Sequence, residues 1–312
     1  MRNVFRLQDV GYEKKSIITI GTFDGVHLAH QQIIREVVNR AKKRNGRSVV
    51  VTFEPHPREI LAPFSDIKLL TTVEERREAI SSLGVDVLYS VEFNRSLSQK
   101  TSREFYSEYI MNGIGASEVV EGYDHHWGRN REGTMDSLIA LGNEFGFSVT
   151  SIEPFSQNGV VVSSSMIRDA LTHGNVELAA TFLGASYAVH GIVIAGDKRG
   201  RMLGYPTANL KLASERKLIP QNGIYFVRVE IEQEDFFGMA SIGVRPTFYQ
   251  DGQRLIEVHI LDFNRDIYGK TVSVKFMKRL RDELKFQSVD ELIHQMKNDE
   301  ELSRSYIAAL QS

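Results

Sequence analysis

The segment SIITIGTFDGVHLAH, residues 16–30, joins a short apolar strand to a helix through a turn that contains two glycines. Asn45-Gly46 then supplies a helix stop, and SVVVTF at 48–53 is typical of a second buried strand. The apolar positions between the two strands recur at helical spacing: Ile33, Ile34, Val37, Val38 and Ala41. The stretch therefore predicts a βαβ unit.

The same alternation of strand and helix continues to about residue 185. Further strands are predicted at 86–91, 117–122 and 147–152, with helical patterns at about 74–83, 101–112 and 133–145. Strands that alternate with helices form a parallel sheet with helices on both faces. The sequence therefore predicts a doubly wound, mostly parallel α/β domain over residues 1–185.

Residues 186–312 follow a different pattern, that of a β domain. Short strands are predicted at 188–196, 223–231, 236–243, 255–263 and 271–277. Several alternate with period two, which places Tyr225, Val227, Val229 and Ile231 on one face. Short antiparallel strands in this number favour a small β-barrel. A terminal helix is predicted over about 288–310, with Ser288 and Glu291 as a capping box.

Composition limits the function classes. The 312 residues suit two domains, and 42% hydrophobic with 25% charged residues is a normal folding composition. A net charge of -2 disfavours a nucleic-acid-binding protein, which carries a basic footprint. The chain has no cysteine, so disulfides, zinc–thiolate sites and thiol nucleophiles are excluded. The sequence shows no signal-peptide core and no apolar run of about 20 residues, so we expect a cytoplasmic protein without a membrane partner.

The first candidate site is the turn after the first strand, where an open α/β sheet places its ligand. Gly21 and Gly25 let the backbone approach a ligand closely. The following helix N-terminus offers N–H groups and partial positive charge to a phosphate. His27 and His30 lie three positions apart, so both imidazoles can face one phosphate. The alternative is a glycine-rich turn with two surface histidines.

Together with GTFDGVHLAH at 21–30, three later segments resemble the flavin-adenylylating nucleotidyltransferases: TFEPHPR at 52–58, GYDHHWG at 122–128 and SSSMIR at 163–168. The resemblance implies that His27, His30 and Arg168 act on the transferring phosphate. It implies an ATP and phosphate site of Gly21, Phe23, Asp24, Gly25, Asp124, Ser164 and Ser165. It also implies a flavin site of Phe53, His56, Pro57 and Trp127.

This domain also departs from the family pattern. Ala29 stands between the two histidines where the family has glycine, and Ser165 stands for threonine. His125-His126-Trp127 replaces an aromatic, variable, aromatic run. We therefore expect this domain to adenylylate a flavin, but more slowly than the second domain, described below, transfers phosphate. The spacing of His27, His30, His56, His125 and His126 matches no common zinc pattern, so no histidine metal site is expected.

The second candidate site is HGIVIAGDKRGRMLGYPTANL at 190–210. Its glycines and basic residues form a flexible loop that can cover a phosphate: Gly196, Lys198, Arg199, Gly200, Arg201 and Gly204. The loop lacks the G-x-x-x-x-G-K-[S/T] pattern of a P-loop. Thr207 and Asn209 then alternate on one side and offer oxygen ligands, which suit Mg²⁺ bound together with substrate phosphates. The alternative for this stretch is a simple turn.

Glu257 supplies a carboxylate on the predicted strand 255–263. Ile256, Val258 and Ile260 share one face of that strand, so Glu257 and His259 lie on the other. A solvated strand face is the alternative. Five blocks resemble the riboflavin kinase family: 196–210, 222–229, 238–248, 256–269 and 274–292. The resemblance implies that Glu257 is the general base and that Thr207 and Asn209 hold the metal and the ATP phosphates. It also implies that Arg281 helps to cover the flavin.

The two resemblances imply one bifunctional enzyme of flavin cofactor synthesis. It phosphorylates riboflavin to FMN with ATP and then adenylylates FMN to FAD, with Mg²⁺ as cofactor and the flavins as substrates and products. Three alternatives stay open at this point. They are a monofunctional kinase with a weakened first domain, a flavin-binding regulator without turnover, and a cytidylyl- or pantetheine-type transferase in the first domain.

Overall fold

The computed structural model describes residues 1–62, 67–123, 133–157, 159–196, 200, 203–244 and 254–311. The chain divides into two compact units, Met1–Ser164 and Ser165–Ser312. The parallel sheet lies in the first unit and the barrel in the second, which confirms the predicted fold classes. The residues between 165 and 184 belong to the second unit by their contacts, while the domain boundary near residue 185 stays a prediction.

A six-stranded sheet forms the centre of the first unit, and every neighbouring pair is parallel. Its strands are β1 Arg2–Val4, β2 Ser16–Ile20, β3 Arg47–Glu54, β4 Val87–Glu92, β5 Ala116–Gly122 and β6 Ser148–Ile152. The spatial order is β1-β4-β3-β2-β5-β6. The chain moves outward from β2 to β3 and β4, and then crosses to β5 on the other side of β2. The carboxyl end of β2 is therefore the switch point at which such sheets bind ligands.

Helices cover both faces of this sheet. They are α1 Leu7–Val10, α2 Leu28–Lys43, α3 Pro57–Leu61, α4 Val73–Ser82, α5 Arg95–Gln99, α6 Ser102–Phe105 and α7 Met135–Phe145. Ile34 of α2 and Ile80 of α4 pack with Val50 and Leu88 on one face. A larger apolar cluster, which includes Ile18 and other inward-facing side chains, fills the opposite face. A short hairpin of β7 Ser156–Gln157 and β8 Val160–Val161 follows the sheet.

One predicted helix of this unit has a different form from the one expected. The pattern over 101–112 becomes α6 followed directly by a π-helix, Tyr106–Ile114. Tyr106, Ile110 and Ile114 of the π-helix are buried, and Gly115 ends it in the left-handed region with φ 79°. The edge strand β1 and the helices α3 and α5 were not predicted.

The second unit is a closed six-stranded barrel with antiparallel neighbours. Its strands are β9 Ala188–Ile194, β10 Ala208–Leu212, β11 Gly223–Ile231, β12 Glu234–Val244, β13 Arg254–Ile260 and β14 Thr271–Arg281, in the order β10-β13-β12-β11-β14-β9. Its helices are α8 Ser164–Thr172, of which Ser164 belongs to the first unit, α9 Val176–Leu183 and α10 Val289–Gln311. The predicted apolar face of β11 is confirmed, because its four alternating side chains are at most 2% exposed.

The helices α8 and α9 dock on the barrel through main-chain and glycine contacts. The N–H of Gln221 donates to the carbonyl of Leu171 at 2.9 Å. Gly174, between the two helices, lies so close to Arg279 that a Cβ there would come within 2.5 Å of the Nε atom. Each of these contacts joins a residue before 185 to a residue of the predicted kinase domain, so the pattern within either segment did not indicate them.

Two strands of the barrel differ from the sequence prediction. Strand β14 continues to Arg281, beyond the predicted end at residue 277. Strand β10, which carries Asn209, was not predicted as a strand. The predicted terminal helix is confirmed, and the N–H of Glu291 donates to the Ser288 hydroxyl at 3.2 Å.

Two candidate active sites

The turn between β2 and α2 is strained at two residues that are not glycine. Phe23 has φ 48° and Val26 has φ 40°, and both side chains are buried. A β-branched residue in the left-handed region is uncommon, because its side chain crowds the backbone there. Strain of this kind persists only where the surrounding packing imposes it, and it clusters at functional sites.

Asp24 holds this turn from inside the protein. Its carboxylate is 1% exposed and accepts the N–H groups of Leu70 and Thr71 at 3.1 and 3.0 Å. The Thr71 hydroxyl donates to the same carboxylate at 3.0 Å and accepts the N–H of Gly25 at 3.1 Å. Asp24 and Thr71 therefore fix the turn on the segment before α4. Direct contact of Asp24 with ATP stays a prediction.

The structure brings His27 and His30 together at the N-terminus of α2. Their rings stack with centroids 3.6 Å apart, and the edge of Phe23 meets His30 at 5.2 Å. His27 is the N-cap of α2, and its Nδ1 accepts the N–H of His30 at 3.4 Å. Since Nδ1 accepts a hydrogen bond, neutral His27 carries its proton on Nε2. That atom can donate to a phosphate oxygen.

The other predicted phosphate residues fall in different places. Gly21 follows β2 and donates its N–H to Val51 at 3.0 Å. Ser164 begins α8, and its hydroxyl donates to the carbonyl of Asp24 at 3.0 Å, which ties it to the strained turn. Ser165 and Arg168 lie on α8 in the second unit. Asp124, His125, His126 and Trp127 lie outside the described residues.

The predicted flavin residues begin at the carboxyl end of β3. Phe53 is half-buried, and its ring meets Phe93 at 5.7 Å and Phe105 at 6.2 Å. His56 is buried as the N-cap of α3, where its Nδ1 accepts the N–H of Arg58 at 3.2 Å, and Pro57 is the first residue of that helix. The three rings are tilted against one another, at 84° for Phe93 and 45° for Phe105, and pack on the core of the sheet. A contact between Phe53 and a flavin stays a prediction.

A largely buried ion network joins the turn after β2 to the predicted flavin segment 52–58. Arg76 is 3% exposed and donates to the carbonyl of Thr22 at 3.3 Å and to the Glu54 carboxylate at 3.2 Å. Arg77 and Ser90 also donate to that carboxylate, at 2.7 and 3.0 Å. Sequence reasoning missed Arg76, although Glu54 lies inside the TFEPHPR segment. The network fixes the spacing of the two predicted subsites of this unit.

In the barrel, the predicted base lies beside both predicted metal ligands. The Thr207 hydroxyl donates to Glu257 Oε2 at 3.2 Å. Asn209, which is 7% exposed, is the residue directly opposite Glu257 in the pairing of β10 with β13. On its other side Glu257 is opposite Ser241 of β12. The closed barrel therefore fixes Asn209 and Glu257 on neighbouring strands, and Thr207 directly precedes the first residue of β10.

Two glycines of the predicted phosphate loop, Gly196 and Gly200, lie close to neighbouring groups of the barrel. A Cβ on Gly196 would meet the Asn209 amide nitrogen at 2.1 Å. A Cβ on Gly200 would meet the Tyr205 carbonyl oxygen at 2.3 Å, and the Tyr205 N–H donates to the Gly200 carbonyl at 2.8 Å. Gly204 has φ 84°. Lys198, Arg199 and Arg201 lie outside the described residues.

A cavity of about 580 Å³ opens beside Thr207. Its walls are mostly apolar on the barrel side and mixed on the side of the chain that follows β13. The lining residues include Val193, Pro206, Val258, Ile260 and the segment 263–268. A cleft of this size with apolar walls and a few polar groups is typical of a small-molecule site. Sequence reasoning did not assign the segment 263–268 to a site.

Arg281 has a structural partner within the second unit. Its guanidinium forms a bidentate salt bridge with the buried carboxylate of Asp299 on α10, at 2.7–3.0 Å. Gln295 donates to the same carboxylate at 2.9 Å. This ion pair fastens the terminal helix to the end of β14, and a contact between Arg281 and the flavin stays a prediction.

No group of three or more His, Cys, Asp or Glu side chains within the described ranges is arranged to hold a metal ion. In the same part of the chain, no helix has both the length and the apolar character needed to cross a bilayer.

Models of two protein families together match most of the chain. The FAD synthetase family matches residues 10–166, and the riboflavin kinase family matches residues 183–307. Both resemblances drawn from the sequence motifs are thereby confirmed.

Curated relatives match the chain over nearly its whole length, and each is named bifunctional riboflavin kinase/FMN adenylyltransferase. The Listeria monocytogenes protein is 38% identical over 95% of this chain and 93% of the relative. The Bacillus subtilis protein is 37% identical over 96% and 94% of the two chains. The Escherichia coli K12 protein is 36% identical over 93% and 92%.

A solved structure from Streptococcus pneumoniae, named as a macrolide-efflux protein, has the same fold. It superposes with a TM-score of 0.88 at 37% identity and covers 97% of this chain and 98% of its own. Its name describes efflux, whereas both family models and the curated relatives describe flavin-forming enzymes. What it contributes for this chain is the fold.

Proposed function

This chain belongs to the bifunctional riboflavin kinase/FMN adenylyltransferase family, and from that premise we propose which of its residues carry each reaction. It phosphorylates riboflavin to FMN with ATP and then adenylylates FMN to FAD with release of pyrophosphate. The matches favour this function over a monofunctional kinase, a flavin-binding regulator or a cytidylyl- or pantetheine-type transferase. Since both reactions consume ATP, the cytoplasm is the proposed compartment.

Glu257 is the proposed base of the kinase reaction. It takes the proton of the terminal ribityl hydroxyl as that oxygen bonds to the γ-phosphorus of ATP. The bond between the γ-phosphorus and the bridging oxygen then breaks, and ADP leaves. A positioned base contributes about 10²–10⁴ in rate. The position of Glu257 on a strand of a closed barrel keeps it opposite Asn209, and the Thr207 hydroxyl reaches it through a hydrogen bond.

The residues beside Glu257 fit a hard cation. Thr207 donates its hydroxyl hydrogen to Glu257, so its oxygen lone pairs stay available to a metal. Asn209 adds an amide oxygen, and ATP phosphates complete a set of oxygen ligands that Mg²⁺ prefers. Thr207 and Asn209 are thus the proposed ligands. Bound there, Mg²⁺ supplies charge neutralisation for the phosphates.

The cavity beside Thr207 is the proposed place for the nucleoside of ATP. It begins at the residue that would hold the phosphates and extends along apolar barrel walls to the segment 263–268. Apolar walls suit a purine ring, and the polar groups of that segment can orient it. The basic loop 198–201 and Arg281 remain the proposed covers of phosphate and flavin.

Adenylylation needs binding and charge neutralisation more than proton transfer. An oxygen of the FMN phosphate bonds to the α-phosphorus of ATP, the bond to the β-phosphate breaks, and pyrophosphate leaves. His27 and His30, at the N-terminus of α2, are the proposed donors to the developing charge. Arg168, Ser165 and Asp124 are the proposed triphosphate and metal contacts. Phe53, His56, Pro57 and Trp127 are the proposed flavin contacts.

The observation that carries the kinase assignment is the 3.2 Å bond between Thr207 and Glu257. Glu257→Gln keeps the size of the side chain but removes its basicity. We expect kcat for riboflavin phosphorylation to fall by about 10²-fold or more, while conversion of supplied FMN to FAD stays unchanged. Both rates are measured by chromatography of the flavins on the full chain with ATP and Mg²⁺. A variant that makes FMN at the wild-type rate would exclude Glu257 as the base.

A further inference from the structure

His259 lies on β13, two positions beyond Glu257 and on the same face. Its neighbours Val258 and Ile260 are buried in the barrel, whereas its own side chain is half-buried. The Nδ1 atom of His259 is 2.9 Å from the carbonyl oxygen of Pro206, 53 positions earlier in the chain. Because a carbonyl oxygen can only accept, Nδ1 carries the hydrogen and donates it.

The acceptor is next to the residue that contacts the base. Pro206 immediately precedes Thr207, whose hydroxyl donates to Glu257. Ala208 is the first residue of β10 that pairs with β13, opposite Val258. Thr207 therefore lies one position before the paired residues. Proline has no N–H, and its carbonyl is the main-chain group through which Pro206 can be held on β13. The His259 bond therefore extends the attachment of β10 past Thr207.

A second contact of the same imidazole supports this role. The ring of His259 meets Tyr205 edge to face, with centroids 5.1 Å apart. Tyr205 is 7% exposed and packs with Met239 and Leu261, and with Met296 of α10. His259 thus contacts the two residues that lead into Thr207, one through its ring and one through Nδ1.

We propose that His259 is a positioning residue for phosphoryl transfer to riboflavin, and that its bond to Pro206 keeps the Thr207 hydroxyl against Glu257. The inference rests on the roles proposed above for Thr207 and Glu257. Loss of the bond leaves the barrel strands paired but lets the segment before Ala208 shift. A displacement of about 1 Å at a reacting centre lowers the rate by about 10²-fold.

Three substitutions of His259 separate the hydrogen bond from the bulk of the ring. In His259→Asn the amide nitrogen is attached where Nδ1 is, so it can donate to Pro206. In His259→Gln the donor lies one carbon farther out, and in His259→Leu there is no donor. We expect kcat for riboflavin phosphorylation within about threefold of wild type for Asn, and about 10²-fold lower for Gln and Leu. Conversion of FMN to FAD by the same full-length protein should not change.

A double-mutant cycle tests whether His259 acts through Thr207. Residues that act through one another give non-additive effects. Thr207→Val removes the hydroxyl, so His259→Leu added to it should lower the remaining single-turnover rate by less than about threefold. A full additional loss of about 10²-fold in that background would show that His259 acts by another route and would overturn the proposal.

The remaining outcomes also test the positioning role of His259. Equal rates for the Asn and Gln variants, or a wild-type rate for the Leu variant, contradict the proposal. If the Leu variant loses FAD formation as well, it is misfolded, and the Asn and Gln pair then carries the test. Glu257→Gln is measured in parallel. A loss there with a wild-type His259→Leu defeats the positioning role alone, whereas an active Glu257→Gln defeats the role proposed for Glu257 itself.

Discussion

Gly196→Ala is the substitution that tests the position of Asn209 most directly. The new methyl group would lie 2.1 Å from the amide nitrogen and 2.6 Å from Cγ of Asn209. Ordinary contact starts near 3.4 Å, so the amide has to move by about 1.3 Å. Gly196 does not have a positive φ, so alanine introduces no backbone strain and the effect is confined to this displacement.

The size of the effect follows from that displacement. A shift of about 1 Å in a positioning group lowers the rate by about 10²-fold, or about 2.7 kcal/mol in activation free energy. We therefore expect kcat for riboflavin phosphorylation to fall by about 10²-fold, with FMN adenylylation unchanged. Initial rates of FMN and FAD formation are measured by chromatography at saturating ATP and Mg²⁺.

Gly243→Ala is the matched control. Its methyl group would lie 2.2 Å from Glu283 Oε1, nearly the same nominal overlap in the same barrel. Glu283 is exposed and its carboxylate is the far end of a flexible side chain, so it can move away. The control should phosphorylate riboflavin at close to the wild-type rate. Equal rates for Gly196→Ala and the control would refute the placement of Asn209 at the reacting centre.

Three further predictions concern stability, the first site and separability. Asp299→Asn should lower the free energy of unfolding by about 3 kcal/mol, because it leaves a mostly buried Arg281 without its ion partner; an unchanged melting temperature would contradict this. Ala29→Gly should raise the rate of FAD formation by up to about 10²-fold, because it removes a methyl group where α2 meets phosphate. No change in the time course of the FMN:FAD ratio would show that Ala29 is tolerated. A chain that starts at Gly184 should phosphorylate riboflavin but melt at a lower temperature than one that starts at Ser165, which keeps α8 and α9. Equal melting temperatures would show that these helices do not stabilise the barrel.

Elements with a strong local pattern were predictable from the sequence. β2 is a run of five buried residues, three of them isoleucine, and β11 buries every second side chain from Tyr225 to Ile231. Strand β1 has three residues, of which only Val4 is buried, so it carries no pattern to detect. It forms because β4 offers a partner, and that information lies outside the strand itself.

The candidate sites divide in the same way. The motif residues Thr207, Asn209 and Glu257 were predicted together. The register of β10 with β13 places Asn209 opposite Glu257, and Thr207 donates a hydrogen bond to Glu257. Thr71 and Arg76 were missed, since the bonds that join them to the phosphate turn connect residues 46 and 54 positions apart. Long-range hydrogen bonds of this kind depend on how α4 packs against the sheet, and the local spacing of residues does not encode that packing.

The register of β10 against β13 also limits how chains of this kind can change in length. Adding or deleting one residue within 208–212 or 254–260 turns every following side chain to the opposite face and sends Asn209 or Glu257 into the core. A closed barrel has no edge at which such a slip is absorbed. The irregularities that the barrel does contain lie between β11 and β14, which border neither strand. Insertions and deletions among homologous proteins should therefore occur in the loops between strands and in the pairing of β11 with β14.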